Sequence, residues 1–429
     1  MNILLINPWI YDFKAYDLWL KPLGLLYAAD FLKKSGYDIN FIDCTDRNHI
    51  SLKSKTESDL YGTGKYYHEE IEKPHLYKDI PRKYKRYGIS LEAFKEELRS
   101  ISAPEVILVT SVMTYWYKGA FEVIKIAKEA FPGVPVVLGG IYASLCYDHA
   151  KEFSGTDYVI KKFNFKEFSE LIAKLTGHTH DINIVKDIVP AYYLYPELEY
   201  ACILTSRGCP FRCSYCASSF LYDKFCQRDY NEVINEVESY YKRGIKNIAF
   251  YDDALFFNKE NHIIKILEGV IKKGLDINFH TPNGLHARYI DKELAYLLKK
   301  SGFKTMRLSL ETQNPALQKE TGGKVTNNDL EEAVNNLLSA GFSAKDIGVY
   351  VMTGLPGQTY EEIIKTVEFV KTFKIKVKLT QFSPIPHTLM GDKMLSDNAD
   401  PLLHNNTYRM YKSPHISFED LQKITDLAK

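Results

Sequence analysis

A chain of 429 residues, 45% hydrophobic and carrying 55 basic against 54 acidic side chains, exceeds one ordinary domain and is long enough for two. A formal net charge of +1 excludes bulk electrostatic attraction to nucleic acid or to an anionic membrane, and no apolar run reaches membrane-spanning length. Seven cysteines in so long a chain, three of them clustered, exclude a disulfide framework and fit a reducing cytoplasm.

The first stretch, Met1-Asn2-Ile3-Leu4-Leu5-Ile6-Asn7-Pro8, has the pattern of a buried strand and lacks the basic region and small-residue cleavage site of a signal peptide. An amphipathic helix over 23–35, ended by Gly36, leads to a strand over 39–42. The alternation continues with a strand at 106–111, a helix at 117–130 stopped by Pro132 and Gly133, and a strand at 134–139. Residues 1–180 therefore predict an α/β domain, doubly wound and Rossmann-like, with a ligand crevice at the strand ends. Small residues follow two strands, in Thr110-Ser111-Val112-Met113-Thr114 and Gly139-Gly140-Ile141, and Pro22-Leu23-Gly24 turns into the first helix. Such turns let a ligand approach the backbone closely.

A polar insertion over 46–102 interrupts this pattern. Its Tyr61-Gly62-Thr63-Gly64-Lys65 stretch lacks the spacing of a phosphate-binding loop. The basic run Pro81-Arg82-Lys83-Tyr84-Lys85-Arg86-Tyr87-Gly88 would suit an anionic substrate or an RNA, although a solvated face is the commoner role of a short charge run. Residues 181–199, with Pro190 and Pro196 and weak periodicity, read as a linker.

From 200 to 390, strands at 248–251, 277–280, 305–310, 347–352 and 377–382 alternate with helices. Together with the segment Tyr200-Ala201-Cys202-Ile203 they predict six βα units and a partial (β/α)6, TIM-like barrel. Residues 391–429 form a C-terminal extension with one helix near 418–427 and no second cysteine cluster.

The loop after the first of these strands reads Thr205-Ser206-Arg207-Gly208-Cys209-Pro210-Phe211-Arg212-Cys213-Ser214-Tyr215-Cys216. Iron–sulfur clusters usually take four cysteine thiolates, and three close together leave one iron open. Zinc or free thiols are the other readings of the same residues; structural zinc wants a fourth ligand, for which Cys226 is the candidate.

This C-x3-C-x2-C loop, with Tyr215 before its last cysteine, resembles that of the radical S-adenosylmethionine (SAM) enzymes. The resemblance implies a 4Fe-4S cluster on Cys209, Cys213 and Cys216, whose open iron takes SAM and whose electron breaks the sulfonium bond to give a 5'-deoxyadenosyl radical. An electron donor such as flavodoxin or ferredoxin is implied with it. The family pattern then assigns SAM contacts to Tyr215 and to the strand ends. Asp252 and Asp253, in place of Gly-Gly-Glu, would face the amino group, and Asn283-Gly284 resembles the family's Asn-Gly-Leu. Ser309 and Glu311 would reach the carboxylate and ribose, and Gly354-Leu355-Pro356-Gly357 would form the adenine-side turn, with Gly354 and Pro356 as contacts. His387 stands where relatives commonly have Gly, which marks it as a candidate proton donor or a structural residue.

The first domain is similar to the cobalamin-binding domain found before many radical SAM cores. That similarity implies a cobalamin crevice lined by Gly24, Ser111, Met113, Thr114, Gly139 and Gly140. The cobalt-ligating D-x-H-x-x-G signature is absent, and Asp148-His149-Ala150-Lys151 only echoes it. The implied activity is cobalamin-dependent methylation, or a related radical modification, of an unactivated carbon in a small or lipid-like molecule. Two alternatives accompany it: a cobalamin-independent rearrangement, cyclisation or coupling enzyme, and a non-catalytic zinc- or iron-binding interaction protein.

Overall fold

The computed structural model describes residues 1–52 and 56–429. It separates into two units, Met1–Leu198 with Ser396–His404, and Glu199–Leu395 with Asn405–Lys429.

The first unit contains β1 (Asn2–Asn7), β2 (Ile10–Asp12), β3 (Asp38–Asp43), β4 (His68–Ile71), β5 (Tyr84–Tyr87), β6 (Val106–Val109), β7 (Val136–Leu138) and β8 (Tyr158–Val159). Five of them make an all-parallel sheet in the order β3-β1-β6-β7-β8. Runs such as Ile3-Leu4-Leu5-Ile6 and Val106-Ile107-Leu108-Val109 are buried throughout, because both faces of such a sheet are covered by helices. Phe31 of helix Leu23–Lys34 packs its ring against Phe165 and Phe168 of helix Phe165–Thr176, while helix Leu91–Ser100 packs with Tyr117–Ala130. This is the doubly wound arrangement expected, in its flavodoxin-like order, and its switch point lies between β1 and β6.

The stretch 46–102, in which residues 53–55 lie outside those described, is more ordered than its polarity suggests. Strands β2, β5 and β4 form an antiparallel sheet in that order, and Ser90 caps helix Leu91–Ser100 by accepting from Ala93 N. The basic run is strand β5: Tyr84 and Tyr87 are buried, and Arg86 pairs with Glu69 and lies over the Trp9 ring. Tyr84 and Tyr87, three residues apart, lie on opposite faces of the strand and are both covered, whereas Arg82 and Lys83 before it are exposed. Residues 181–198 pack onto the first unit, where Ala191 N donates to Leu26 O at 3.2 Å and Tyr195 OH donates to Asp43 Oδ2 at 2.6 Å.

The second unit contains β9 (Tyr200–Ile203), β10 (Ser206–Arg207), β11 (Cys226–Gln227), β12 (Asn247–Phe250), β13 (Asn278–His280), β14 (Phe303–Glu311), β15 (Ile347–Thr353) and β16 (Lys376–Gln381). Six of these form one parallel sheet in sequential order, β9-β12-β13-β14-β15-β16, with helices between successive strands. The connectivity is that of the six expected βα units. Phe250, Phe279 and Phe303 stack across three neighbouring strands at 5.1–5.6 Å. Among the described residues, no helix is long and apolar enough to cross a membrane.

Candidate active site

The three-cysteine loop leaves the C-terminal end of β9 and is tied down on both sides by main-chain bonds. Ser214 N donates to Thr321 O at 3.3 Å, and Met390 N donates to Ser214 O at 2.8 Å. Within the loop, Cys216 N donates to Cys213 O at 3.1 Å. Burial pushes the Cys209 thiol up to about 11, and the charges of Asp253, Cys216 and Cys213 add to the rise. The thiols therefore lie within electrostatic reach of one another, although among the described residues no group of three donors is drawn into metal-ligating geometry. Cys226 is exposed on β11, where its Sγ lies 3.8 Å from Gln227 O. Three thiolates are the donor set an iron–sulfur cluster takes. The Ser214 hydroxyl beside them is buried with no hydrogen-bond partner.

Beside Cys213 stands a charged group that the sequence pattern shows only in part. Lys324 Nζ donates to Glu311 Oε1 at 2.8 Å, and Tyr215 OH donates to the same oxygen at 3.2 Å. Burial works against the Lys324 charge, but Glu311, Tyr215 and Cys213 outweigh it and hold the ammonium well above its ordinary value. Glu311 ends β14 at φ +68°, next to a register shift between Ser309 and Glu311. A non-glycine residue held in the left-handed region is a strained position of the kind that collects at functional sites. Lys324 follows Gly322 and Gly323, and that glycine pair after a short helix was the available signal.

The other strand ends converge on the same edge of the sheet. Asp252 is buried and already engaged: it accepts from Thr205 N, Thr205 Oγ1 and Ser206 Oγ, and burial raises it to about 6. Asp253 is exposed and accepts from Ser218 Oγ at 2.6 Å. Asn283 Nδ2 donates to Tyr251 O at 2.9 Å, and Ser309 is buried beneath Gly284. The Gly354 turn is pinned by Gln358, whose Oε1 accepts from Gly354 N and Leu355 N; Pro356 is exposed. Leu355, Leu317, Phe382 and Met390 form an apolar cluster against which Tyr215 packs. His387 is exposed, at φ +64°, with its ring stacked on Phe220 at 3.9 Å. The left-handed backbone accounts for the glycine that the family pattern places there.

In the first unit a crevice opens at the switch point, lined by Asn7, Trp9, Lys21, Ser111, Val112 and Trp116 among others. The Ser111 hydroxyl is 4% exposed and has no hydrogen-bond partner. Such an orphaned group fits a polar ligand. Gly140 backs this wall: at φ +95° its missing Cβ would stand 2.2 Å from Ser111 O, so only glycine permits the contact. Thr114 is buried behind the wall, its Oγ1 2.9 Å from His404 Nδ1. Gly24, Met113 and Gly139 are not among the residues lining this crevice. His149 is occupied elsewhere: its Nδ1 lies 2.7 Å from Tyr142 OH, and its ring packs among Tyr117, Phe121 and Phe153.

The model of the radical SAM superfamily matches residues 203–370, from β9 through β15 and its following helix, with all three loop cysteines inside. An uncharacterized methyltransferase of Pyrococcus horikoshii, PH0819, is 26% identical over 364 residues, which cover 75% of this chain and 77% of its own. The solved structure of the radical SAM methyltransferase TsrM from Kitasatospora setae, with tryptophan substrate and a SAM analogue bound, has a TM-score of 0.67 at 18% identity, covering 91% of this chain and 75% of that one. The cobalamin-dependent SAM radical enzyme OxsB, solved with aqua-cobalamin and SAM, has a TM-score of 0.57 at 14% identity, covering 95% of this chain and 56% of that one. The last two likenesses are likenesses of fold. The cysteine loop and the sequential parallel sheet behind it form a radical SAM domain over residues 203–370, and with the switch-point unit before it the chain shares its fold with TsrM and OxsB.

Proposed function

We propose that this enzyme methylates an unactivated carbon of a small or lipid-like molecule, using a 4Fe-4S cluster, SAM and cobalamin. Cys209, Cys213 and Cys216 would hold the cluster, which supplies the electron that opens the sulfonium bond of SAM. Glu311 and Lys324 hold one carboxylate and one ammonium, largely buried, beside Cys213, where charged hydrogen bonds would be strong enough to orient a zwitterionic ligand. Asp253, the exposed member of its pair, is the acid free to face the SAM amino group, and the Gly354 turn offers a backbone edge already fixed by Gln358. The observation that carries the cobalamin part is the switch-point crevice with its unpartnered, buried Ser111 hydroxyl. PH0819 is named a methyltransferase, and TsrM and OxsB share the fold, which supports the same reading. A reducing compartment and a flavodoxin- or ferredoxin-like electron donor belong to this proposal.

The test is product analysis of anaerobically reconstituted protein, with and without cobalamin. S-adenosylhomocysteine formed only with cobalamin, together with the bound cofactor's visible absorption, supports methyl transfer. Formation of 5'-deoxyadenosine alone, with no cobalamin taken up, overturns the cobalamin part and points to a rearrangement, cyclisation or coupling enzyme.

A further inference from the structure

The segment Ser396–His404 belongs to the first unit although the residues on either side of it belong to the second. It is a preset turn: Asp400 Oδ1 accepts from Leu402 N at 2.9 Å, and Leu403 N donates to Asp400 O at 2.9 Å. Leu402 and His404 are each 2% exposed. The contacts that hold this turn in the first unit include three hydrogen bonds. Tyr77 OH donates to Leu402 O at 2.7 Å, Tyr117 OH donates to Asp400 Oδ1 at 3.0 Å, and His404 Nδ1 shares a hydrogen bond with Thr114 Oγ1 at 2.9 Å.

Thr114 sits in the middle of the loop that follows β6. Ser111, Val112 and Trp116, on either side of it in sequence, line the switch-point crevice, whereas Thr114 faces away into the core. A bond on the buried middle residue fixes where the flanking residues stand. We propose that His404 is a positioning residue for the crevice, acting through Thr114, so that the C-terminal part of the chain sets the ligand affinity of the N-terminal unit. This rests on the cobalamin reading for the identity of the ligand, but not for the pinning of the loop.

Two measurements separate those parts. The first is hydrogen exchange of residues 111–117 in the full chain without ligand, comparing wild type, His404→Ala and Thr114→Val. The second is titration with hydroxocobalamin, followed by absorbance, on the same proteins and on His404→Asn, whose amide can stand in for the ring nitrogen. Loss of the His404–Thr114 hydrogen bond predicts faster exchange in this loop and about tenfold weaker cobalamin binding for His404→Ala. Combining His404→Ala with Thr114→Val should add nothing further, and His404→Asn should recover most of the affinity. Unchanged exchange in both single variants overturns the inference, as does unchanged affinity where the wild type binds. If wild type binds no hydroxocobalamin, the cobalamin reading fails and the exchange data alone decide the pinning. Should His404→Ala fail to fold, Thr114→Val, which removes the same bond from the other side, carries the test.

Discussion

The backbone of Gly322 lies directly against Cys213: a Cβ on Gly322 would stand 2.9 Å from Cys213 Cα and 3.3 Å from its Sγ, at φ +119°. A side chain there would push the cysteine off its place. Gly323 also has positive φ, at +61°, but a methyl group on it would meet nothing within 4 Å. Gly322→Ala is therefore expected to lose at least half of its iron and acid-labile sulfide after anaerobic reconstitution, while Gly323→Ala keeps both. Equal cluster content in the two variants would show that the contact is incidental.

Lys324 and Glu311 are paired with side chains 15% and 8% exposed, so removing either leaves the other a buried, uncompensated charge. Lys324→Met should destabilise the second unit by about 3–5 kcal/mol, and Lys324→Met with Glu311→Leu by clearly less than the sum of the single changes. Denaturant unfolding of the four proteins completes the cycle; additive losses would deny the coupling.

The two adjacent acids are expected to behave differently. Asp252→Ala strips the acceptor from Thr205 N, Thr205 Oγ1 and Ser206 Oγ, and should cost at least about 1–3 kcal/mol of stability. Asp253→Ala removes an exposed carboxylate bonded only to Ser218 among the contacts described, and should leave the melting temperature near wild type while weakening SAM binding several-fold. Calorimetric titration with SAM and thermal melts, run on both variants, distinguish the support from the ligand contact.

The buried histidines of the second unit should cost stability as pH falls below about 6.5. Burial lowers His262 to about 4, and His280 and His286 each to about 3, from an ordinary 6.5. With folded values below the unfolded one, the unfolded chain takes up the extra protons as pH falls below 6.5. Each histidine then removes up to about 1.4 kcal/mol per pH unit. Asp252 acts in the opposite sense, since burial raises it to about 6 and the fold gains from its protonation between there and 3.8. Asp253 and Glu236, which burial also raises, act with Asp252. The histidine part is therefore read by difference: going from pH 7 to pH 5 should lower the melting temperature less in His262→Gln than in wild type, and identical profiles would contradict the burial of a neutral imidazole.

What the sequence disclosed follows from where the information sits. Cys209, Cys213 and Cys216 lie in one contiguous motif, and strands such as Ile3-Leu4-Leu5-Ile6 announce their burial by composition, so the loop and both parallel sheets were legible. Lys324 and Gly322 reach Cys213 only through the turn after helix Pro315–Glu320, and His404 reaches Thr114 only because Ser396–His404 folds with the first unit. Such partners are set by tertiary docking, which leaves no local pattern. The 81–88 run divides in a way its composition does not show: Arg82 and Lys83 are exposed, while Tyr84, Arg86 and Tyr87 on β5 are buried.

The most direct test of the central claim is electron paramagnetic resonance of the anaerobically reconstituted, reduced protein, with and without SAM. Three thiolates leaving one iron open predict a 4Fe-4S signal that changes when SAM is added and disappears in each of Cys209→Ala, Cys213→Ala and Cys216→Ala. Protein that carries one zinc and no acid-labile sulfide, or a cluster signal that SAM does not move, would contradict it.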